Sequence, residues 1–214
     1  PFVWRYADKF RFLYSIEERH PFRHLDKAVA KQAPTGSRNL SIEKSPQPER
    51  MANLVSRLSY DGRLRHVRDK EYFSWRFQNP LRKYRFIFWK ETCLEGYMVL
   101  QSYGCESSGG GRVNIVDWEG TSLQIQTELL QVALHWGNFR ELFSWTTTLS
   151  GEKKAILANA GFKPIQPQQG SKYRNCVIVR SVRDDMLDRE SIIANHKILD
   201  LANWDLRMIY SMHG

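Results

Sequence analysis

Residues 112–124, RVNIVDWEGTSLQ, decide the fold, because they join an apolar strand directly to the start of a helix. The strand is predicted over residues 112–117, and a long helix follows because Thr121 and Gln124 stand at the spacing of a capping box. The residues predicted to form the buried face of that helix are Leu123, Leu129, Leu130, Ala133 and Trp136. Backbone N–H groups at a helix start point outward and favour an anion. The segment therefore predicts a site for a phosphate-bearing cofactor beside Thr121 and Ser122.

Further strands and a helix surround this segment. The strands are predicted from runs of apolar and aromatic residues at 84–89, 96–100, 142–146 and 173–182. The first two runs form a hairpin. A helix is predicted over residues 151–160, where Ser150 is the N-cap and Gly161 ends the helix. Together these elements predict an α+β fold, in which helices flank a mixed, mostly antiparallel sheet.

Two helices are predicted before the hairpin. Ser45 as N-cap with Pro46 at the first helical position begins the first helix, and Gly62 ends it. Its apolar face is predicted from residues at helical spacing, namely Met51, Leu54, Val55 and Leu58. Asp69 is the predicted cap of the second helix, which runs through Phe77 until an Asn-Pro pair stops it.

The length of 214 residues predicts one large domain, or one domain with a piece of another. Residues 1–38 alternate aromatic and basic side chains, which predicts a strand or two, and they end in a turn-rich connector. They are interpreted as an arm packed on the main domain, residues 39–214, or as the tail of an upstream domain. A helical stretch is predicted near residues 192–201. Because the chain begins with Pro1 rather than Met, it is interpreted as part of a longer protein.

Composition narrows the classes of function. The three cysteines are widely spaced and form no CxxC pair, which argues against a disulfide scaffold or a zinc site and favours a reducing, cytoplasmic compartment. No run approaches the roughly 18 apolar residues of a membrane span. The net charge is +9, and residues 57–90 alone hold ten basic and three acidic side chains. Aromatic residues interleave with these arginines, so an amphipathic helix with a solvated basic face is favoured over a nucleic-acid-binding surface.

A series of spaced residues in the middle of the chain carries a resemblance. They are Arg68, Asp69, Tyr72, Trp75, Arg76, Phe77, Pro80, Tyr84, Gly96, Tyr97 and residues 115–118. With the order of the predicted elements, this series resembles the GNAT superfamily of acyl-CoA N-acyltransferases over roughly residues 40–182. The spacing is most similar to a bacterial GNAT-like subgroup that is associated with surface or extracellular polysaccharide pathways.

The resemblance implies a place for acetyl-CoA or another acyl-CoA. In such folds the two central strands part, and the pantetheine arm lies in the gap, where it bonds to the strand like an added strand. The residues that the resemblance implies for cofactor binding are Val116, Trp118, Gly120, Thr121 and Ser122. An amine then attacks the thioester directly, and strand N–H groups stabilise the developing oxyanion.

The resemblance also implies a carboxylate base that neutralises the ammonium of the acceptor. Asp117 at the strand end and Glu119 two residues later are the alternatives, although either residue also suits a cap or a loop. Tyr173 is the candidate acid for the leaving thiolate. The residues interpreted as an acceptor groove, or else as one helix packed beside the sheet, are Trp75, Arg76 and Tyr84. The expected acceptor is a small-molecule amine or an amino sugar. A homodimer is a possible assembly of the chain.

Two departures from the superfamily pattern support an alternative. The expected phosphate loop holds one glycine, Gly120, and the carboxylate of Glu119 beside it would repel a phosphate. Leu157 stands where many members carry a tyrosine. The alternative is a catalytically degenerate GNAT-like domain with a binding or scaffolding role. A basic module for RNA or DNA, and aminoacyl transfer from charged tRNA, are two further hypotheses.

Overall fold

The computed structural model describes 4–6, 12–14, 39–80, 82–103, 112–136, 139, 141–146, 148–164, 177–179, 192–193, 195–198 and 200–207. The strands before the long helix are β1 (Trp4–Tyr6), β2 (Phe12–Tyr14), β3 (Leu40–Glu43), β4 (Lys83–Lys90), β5 (Leu94–Tyr103) and β6 (Arg112–Gly120). Those after it are β7 (Glu141–Trp145), β8 (Lys163–Pro164), β9 (Val177–Val179), β10 (Ile192–Ile193) and β11 (His196–Lys197). The helices are α1 (Pro48–Arg57), α2 (Lys70–Arg76), α3 (Leu123–Trp136), α4 (Gly151–Asn159) and a 3-10 turn (Leu201–Asn203).

Seven strands form the main sheet, in the order β3-β4-β5-β6-β7-β2-β8. The pair β6–β7 is parallel, because α3 connects the two strands, and the other described pairs in this sheet are antiparallel. This arrangement confirms the predicted α+β fold with a mixed, mostly antiparallel sheet.

Helices cover the two faces of the sheet and bury a separate apolar cluster on each. The cluster that includes α1 and α2 consists of Met51, Leu54, Val55, Phe73, Tyr84, Phe86, Phe88, Leu94, Tyr97, Val99 and Val116. The cluster that includes α3 and α4 consists of Ile87, Met98, Leu100, Ile115, Trp118, Leu129, Leu130, Val132, Ala133, Leu142, Leu149, Leu157 and Phe162. Alternate residues of β4, β5 and β6 supply the two clusters, as the period of a strand requires.

Strand β6 pairs with two strands over its first part and with one strand over the rest. It pairs with β7 only from Arg112, opposite Glu141, to Ile115, opposite Ser144. The next residue, Val116, is extra in the ladder with β5, so β6 carries a bulge at this point. Residues 117–120 continue to pair with β5, and in the described register residues 116–120 have no partner on β7. We call the space beside residues 116–120 the parting.

The predicted helix starts were right in two cases. The carboxylate of Asp69 accepts the Tyr72 N–H at 2.7 Å and caps α2, as predicted. The Ser150 hydroxyl accepts the Lys153 N–H at 3.3 Å and caps α4, also as predicted. Gly161 follows α4 with φ +92°, the left-handed conformation that ends a helix.

The start and end predicted for the first helix were wrong. Gln47 is the N-cap of α1, and Pro48 rather than Pro46 takes the first helical turn. Either proline suits a helix start, so the sequence offered two nearly equal registers. The helix ends at Arg57, and Gly62 lies beyond it with φ +83° in a loop.

The capping box predicted for α3 was wrong. The Ser122 hydroxyl accepts the Ile125 N–H at 3.2 Å, so α3 begins one residue later than a Thr121 cap requires. The Gln124 side chain instead donates to Glu128 on the exposed face. Leu123 is 43% exposed and does not belong to the buried face. Leu129, Leu130 and Ala133 are buried as predicted, while the side chain of Trp136 lies outside the described residues.

The described part of residues 1–38 contains two short strands, in agreement with the strand or two predicted there. Strand β2 lies between β7 and β8 in the main sheet, and β1 pairs with β9. The helix predicted near residues 192–201 was wrong, because β10 and β11 form a small hairpin around Asn195, whose φ is 66°. The division at residue 38 stays a prediction. Within the described part of the chain, no helix has the length and apolar character that a membrane span requires.

Candidate functional site

Strand β6 brings two carboxylates to the parting. Asp117 and Glu119 stand two residues apart and are both buried, with exposed fractions of 2% and 4%. Arg68, in the loop just before α2, binds both of them. Its Nη1 donates to Asp117 Oδ1 at 3.0 Å and its Nη2 donates to Glu119 Oε1 at 2.7 Å. The Tyr97 hydroxyl on β5 donates to Asp117 Oδ2 at 2.6 Å.

Two further cations reach Glu119 from other elements. Lys153 on α4 donates from Nζ to Glu119 Oε2 at 2.8 Å. Arg207, which follows the 3-10 turn, lies with Nη2 2.9 Å from Glu119 Oε1. Arg207 also donates to both carboxylate oxygens of Asp205, at 2.8 and 2.9 Å. Three buried carboxylates therefore face three buried cations, and we call these six residues together with Tyr97 the ionic network.

The network sets the protonation of its members. Burial alone would raise the pKa of Glu119, but the charges of Arg207, Lys153 and Arg68 outweigh burial and hold that pKa well below its usual value. Burial and the neighbouring Arg207 charge lower the pKa of Lys153, and Glu119 only partly offsets them. A carboxylate with a strongly lowered pKa binds a proton poorly, so Glu119 is unsuited to act as a general base at neutral pH.

Backbone pairing fixes the segment that carries Arg207. Leu64 N–H donates to the Asn203 carbonyl at 2.7 Å, and Asp205 N–H donates to the Leu64 carbonyl at 2.8 Å. The Thr148 hydroxyl donates to the Leu206 carbonyl at 2.7 Å and accepts the Leu206 N–H at 2.9 Å. These bonds hold residues 203–206 across the end of the parting and direct Arg207 into it.

The main chain of Trp118 is engaged by side chains of the protein itself. Its carbonyl accepts hydrogen bonds from Lys153 Nζ at 3.2 Å and from Arg207 Nη1 at 3.0 Å. Its N–H donates to Asp117 Oδ1 at 3.0 Å. A ligand bound as an added strand needs these same backbone groups. The residues present therefore do not fit a pantetheine arm laid along this part of β6.

The loop between β6 and α3 is shaped by packing. Thr121 N–H donates to the Glu95 carbonyl at 2.9 Å, and Gln126 Nε2 donates to the Gly120 carbonyl at 2.9 Å. A Cβ atom at Gly120 would lie 2.9 Å from Gln126 Cγ and 3.2 Å from Ile125 Cγ2. Close approach of the helix therefore explains this glycine without a phosphate. The side chains of Thr121 and Ser122 are exposed at the start of α3.

The other predicted site residues lie in different surroundings. Val116 is buried in the cluster beneath α1 and α2. Tyr84 is buried on β4 against Phe77, with ring centroids 5.1 Å apart, whereas Trp75 on α2 is 68% exposed. Burial raises the Tyr84 pKa, and the Arg76 charge lowers it in part. Tyr173 lies outside the described residues, so its role stays a prediction.

Sequence reasoning missed the three cations. Arg68 was noticed only as part of a motif, and Lys153 and Arg207 were not singled out. A signal was present for Lys153, because it precedes Leu157 by four residues on a helix and so shares its buried face. A cation on a buried face needs a partner of opposite charge. No comparable signal marks Arg207, whose position depends on the pairing of Leu64 with residues 203–205.

The strand topology decides the fold assignment. A hairpin precedes β6, a helix connects β6 to its parallel neighbour β7, and the two strands separate after Ile115. These are the features that the resemblance implies. The chain has a GNAT-like fold.

Comparisons with known proteins give only distant matches. No protein-family model matches the chain, and no curated protein matches it. A GCN5-related N-acetyltransferase from Anabaena variabilis is 10% identical with a TM-score of 0.45, over 70% of this chain and 36% of that one. A tandem GNAT protein from the clavulanic acid biosynthesis pathway is 14% identical with a TM-score of 0.46, over 75% of this chain and 52% of that one.

The chain thus spans about half the length, or less, of these two solved structures. Because both matches are so distant, the GNAT-like assignment rests on the chain's own topology. The similarity to the polysaccharide-associated subgroup stays a prediction.

Proposed function

We propose that this chain is a GNAT-fold domain that does not transfer acyl groups at the parting and instead has a binding or scaffolding role. One observation carries the proposal: the Trp118 carbonyl accepts hydrogen bonds from the ammonium of Lys153 and the guanidinium of Arg207. The strand edge that a pantetheine arm would use is thereby taken by the chain itself.

The strength of the two hydrogen bonds to the Trp118 carbonyl indicates how strongly they oppose the binding of a cofactor. A hydrogen bond to a charged group contributes about 1.5–3 kcal/mol. Displacing both donors from Trp118 would therefore cost about 3–6 kcal/mol, or roughly 100- to 10,000-fold in the dissociation constant of a cofactor. The loop between β6 and α3 does not offset this cost, because Gly120 is packed against α3 and the Thr121 N–H already donates to the Glu95 carbonyl. Leu157 is buried in the apolar cluster and supplies no acid for a leaving thiolate.

The test is the binding of acetyl-CoA to the wild-type chain. Isothermal titration at millimolar acetyl-CoA should show no saturable heat, and a panel of amines should release no free thiol from acetyl-CoA. Saturable binding together with amine-dependent thiol release would refute the proposal.

The second candidate is an acyl-CoA-dependent N-acyltransferase that acts on a small amine or an amino sugar. It is favoured by the parting itself, since residues 116–120 run on without β7 and α3 begins at an exposed turn directly afterwards. This candidate requires Arg207 to leave the Trp118 carbonyl before the cofactor binds. An Arg207→Ala variant should then bind acetyl-CoA at least tenfold more tightly than wild type. The matched control is Arg50→Ala, which removes an exposed arginine on α1.

Nucleic-acid binding gains little support from the basic block at residues 57–90. At least half of its ten basic residues form ion pairs with carboxylates in the described part of the chain, namely Arg57, Arg63, Arg68, Lys70 and Lys90. Paired cations release fewer counterions from a phosphate backbone than unpaired ones do. The hypotheses of an RNA or DNA module and of aminoacyl transfer from tRNA are therefore weaker than the first two. A cytoplasmic location, a bacterial source and a homodimer remain predictions.

A further inference from the structure

Residues 200–207 lie across the end of the parting, and we call this segment the strap. Its main chain is held at two points. The N–H and the carbonyl of Leu64 bond to the backbone of residues 203–205, at 2.7 and 2.8 Å. The Thr148 hydroxyl donates to the Leu206 carbonyl at 2.7 Å and accepts the Leu206 N–H at 2.9 Å. The strap therefore joins the loop before α2 to the residues that follow β7.

Polar contacts predominate in holding the strap. Three of its residues are buried, namely Leu201, Asp205 and Arg207, and two of these carry a charge. In the described part of the chain, neither apolar cluster includes a residue of the strap, and no strand of the main sheet comes from it. A segment that buries little apolar surface opens at a lower free energy than the core of a domain. The strap should therefore open more readily than the sheet.

Opening of the strap leaves the buried charges balanced. The strap contributes one carboxylate, Asp205, and one cation, Arg207, to the ionic network. The two carboxylates on β6 keep their ion pairs with Arg68 and Lys153. An unpaired buried charge is strongly destabilising, and opening creates none. The rest of the domain therefore has no electrostatic reason to unfold when the strap opens.

Arg207 is the residue of the strap that covers β6. Its Nη1 donates to the Trp118 carbonyl at 3.0 Å, and its Nη2 lies 2.9 Å from Glu119 Oε1. Trp118 lies within residues 116–120, which have no partner on β7 in the described register. When the strap opens, the Trp118 carbonyl keeps its hydrogen bond from Lys153 but loses the one from Arg207. Opening thus exposes part of the strand edge that the closed form covers.

We propose that the strap is a movable cover of the parting, which opens as a unit while the sheet stays folded. The arrangement described above is then the closed form. A ligand that uses the exposed edge of β6 binds the open form, so its apparent affinity is reduced by the fraction of molecules that are open. This inference goes beyond the proposed function, because it concerns a motion of the chain and holds for any ligand.

Hydrogen exchange of single amides in the full chain, measured by NMR, tests whether the strap opens by itself. The N–H groups of Leu64, Asp205 and Leu206 report on the strap, because each of these hydrogen bonds joins the strap to the rest of the chain. The N–H groups of Phe86 and Met98 report on the sheet, since both residues lie in strands that are paired on two sides. Protection factors of the strap amides should be at least about tenfold lower than those of the sheet amides. Urea should also speed their exchange less steeply, because a local opening exposes little surface.

Two positions separate local opening from unfolding of the whole domain. Gly96→Ala places a Cβ atom 2.5 Å from Ile125 Cγ2, and it weakens the sheet in the open and closed forms alike. It should speed exchange of the two sheet amides about tenfold or more and leave the strap amides within about threefold of wild type. Thr148→Val removes both hydrogen bonds to Leu206 and should speed exchange of the strap amides about tenfold or more. The matched control is Thr148→Ser, which keeps the hydroxyl and should keep the strap amides near their wild-type rates.

Three outcomes would overturn the inference. They are strap amides with the same protection and urea dependence as the sheet amides, equal acceleration of both groups by Gly96→Ala, and strap amides that Thr148→Val does not affect. The first two would mean that the strap opens only when the domain unfolds. Titration of the same wild-type sample with acetyl-CoA keeps the two proposals distinguishable. Acetyl-CoA binding with thiol release refutes the proposed function, whereas any of the three exchange results refutes only the strap as a movable cover.

Discussion

Replacing Glu119 by glutamine tests the ionic network most directly. The carboxylate accepts hydrogen bonds from Arg68 and Lys153 and pairs with Arg207, at distances of 2.7 to 2.9 Å. Removing its charge leaves the six groups of the network with one uncompensated positive charge in a buried place. Removing one partner of a buried ion pair costs about 3–5 kcal/mol. We therefore expect Glu119→Gln to lower the free energy of unfolding by about 3–5 kcal/mol, a large part of the stability of an ordinary domain.

Urea denaturation at pH 7, followed by tryptophan fluorescence, measures this loss. The matched control is Glu49→Gln, because Glu49 pairs with Lys70 at 3.7 Å while 72% of its side chain is exposed. That variant should lose less than about 1 kcal/mol. A loss below about 1 kcal/mol for Glu119→Gln as well would refute the reasoning, since the three cations would then be stabilised without their carboxylate.

The pH dependence of the free energy of unfolding gives a second comparison of wild type with Glu119→Gln. The pKa of Glu119 is lowered in the folded state, so its stabilisation is fully present above the unfolded value of about 4.3. It is lost as the pH falls through the lowered folded pKa. Wild type should therefore lose stability more steeply than Glu119→Gln between about pH 5 and the acid limit of folding.

Three further predictions concern neighbouring residues. Arg207→Met should cost about 3–5 kcal/mol and Lys153→Met less than that. Burial would lower the Arg207 pKa but the charges of Glu119 and Asp205 raise it, whereas burial and the Arg207 charge lower the Lys153 pKa; equal losses in urea denaturation would contradict this. Tyr97→Phe should lower the free energy of unfolding by about 1.5–3 kcal/mol, because it removes a hydrogen bond to the buried Asp117 carboxylate. In wild type, the Tyr97 phenol should not titrate before the protein unfolds at alkaline pH, which ultraviolet absorbance can show. Gly96→Ala should lower the free energy of unfolding by about 1–3 kcal/mol, because the new Cβ would lie 2.5 Å from a side-chain carbon of α3. The control is Gly151→Ala, whose Cβ would have no atom within 4 Å, and it should stay within about 0.5 kcal/mol of wild type in urea denaturation.

The fold was predictable because its central elements carry strong local patterns. The hairpin β4–β5 and the helix α4 have clear periodicity, a cap at Ser150 and a glycine stop at Gly161, and all of these were confirmed. Errors arose where two local solutions were nearly equal. Pro46 and Pro48 are both good first residues of a helix, and Thr121 and Ser122 are both good caps, so only packing decided between them.

The candidate site was predictable only in part, because its two halves have different origins in the sequence. Asp117 and Glu119 lie on one strand, and their alternation on β6 brought them into the prediction together. Their partners come from the loop before α2, from α4 and from the segment after the 3-10 turn, so each contact joins residues far apart in the chain. Sequence spacing carries no information on such contacts. Residues 203–205 show the same limit, because their pairing with Leu64 joins parts of the chain that are far apart in sequence.

One carboxylate cannot serve both as the centre of this network and as the base of an acyl transfer. A general base works best when its pKa lies near the working pH, and for Glu119 this requires a raised pKa. Raising it means removing Arg68, Lys153 and Arg207 from its oxygens, and the stability of the folded chain depends on those contacts. A pantetheine arm requires the same displacement, because Lys153 and Arg207 also bind the Trp118 carbonyl. Acyl transfer would thus require Lys153 and Arg207 to leave Glu119 and Trp118, whereas the stability of the fold requires them to stay, and in the structure they stay.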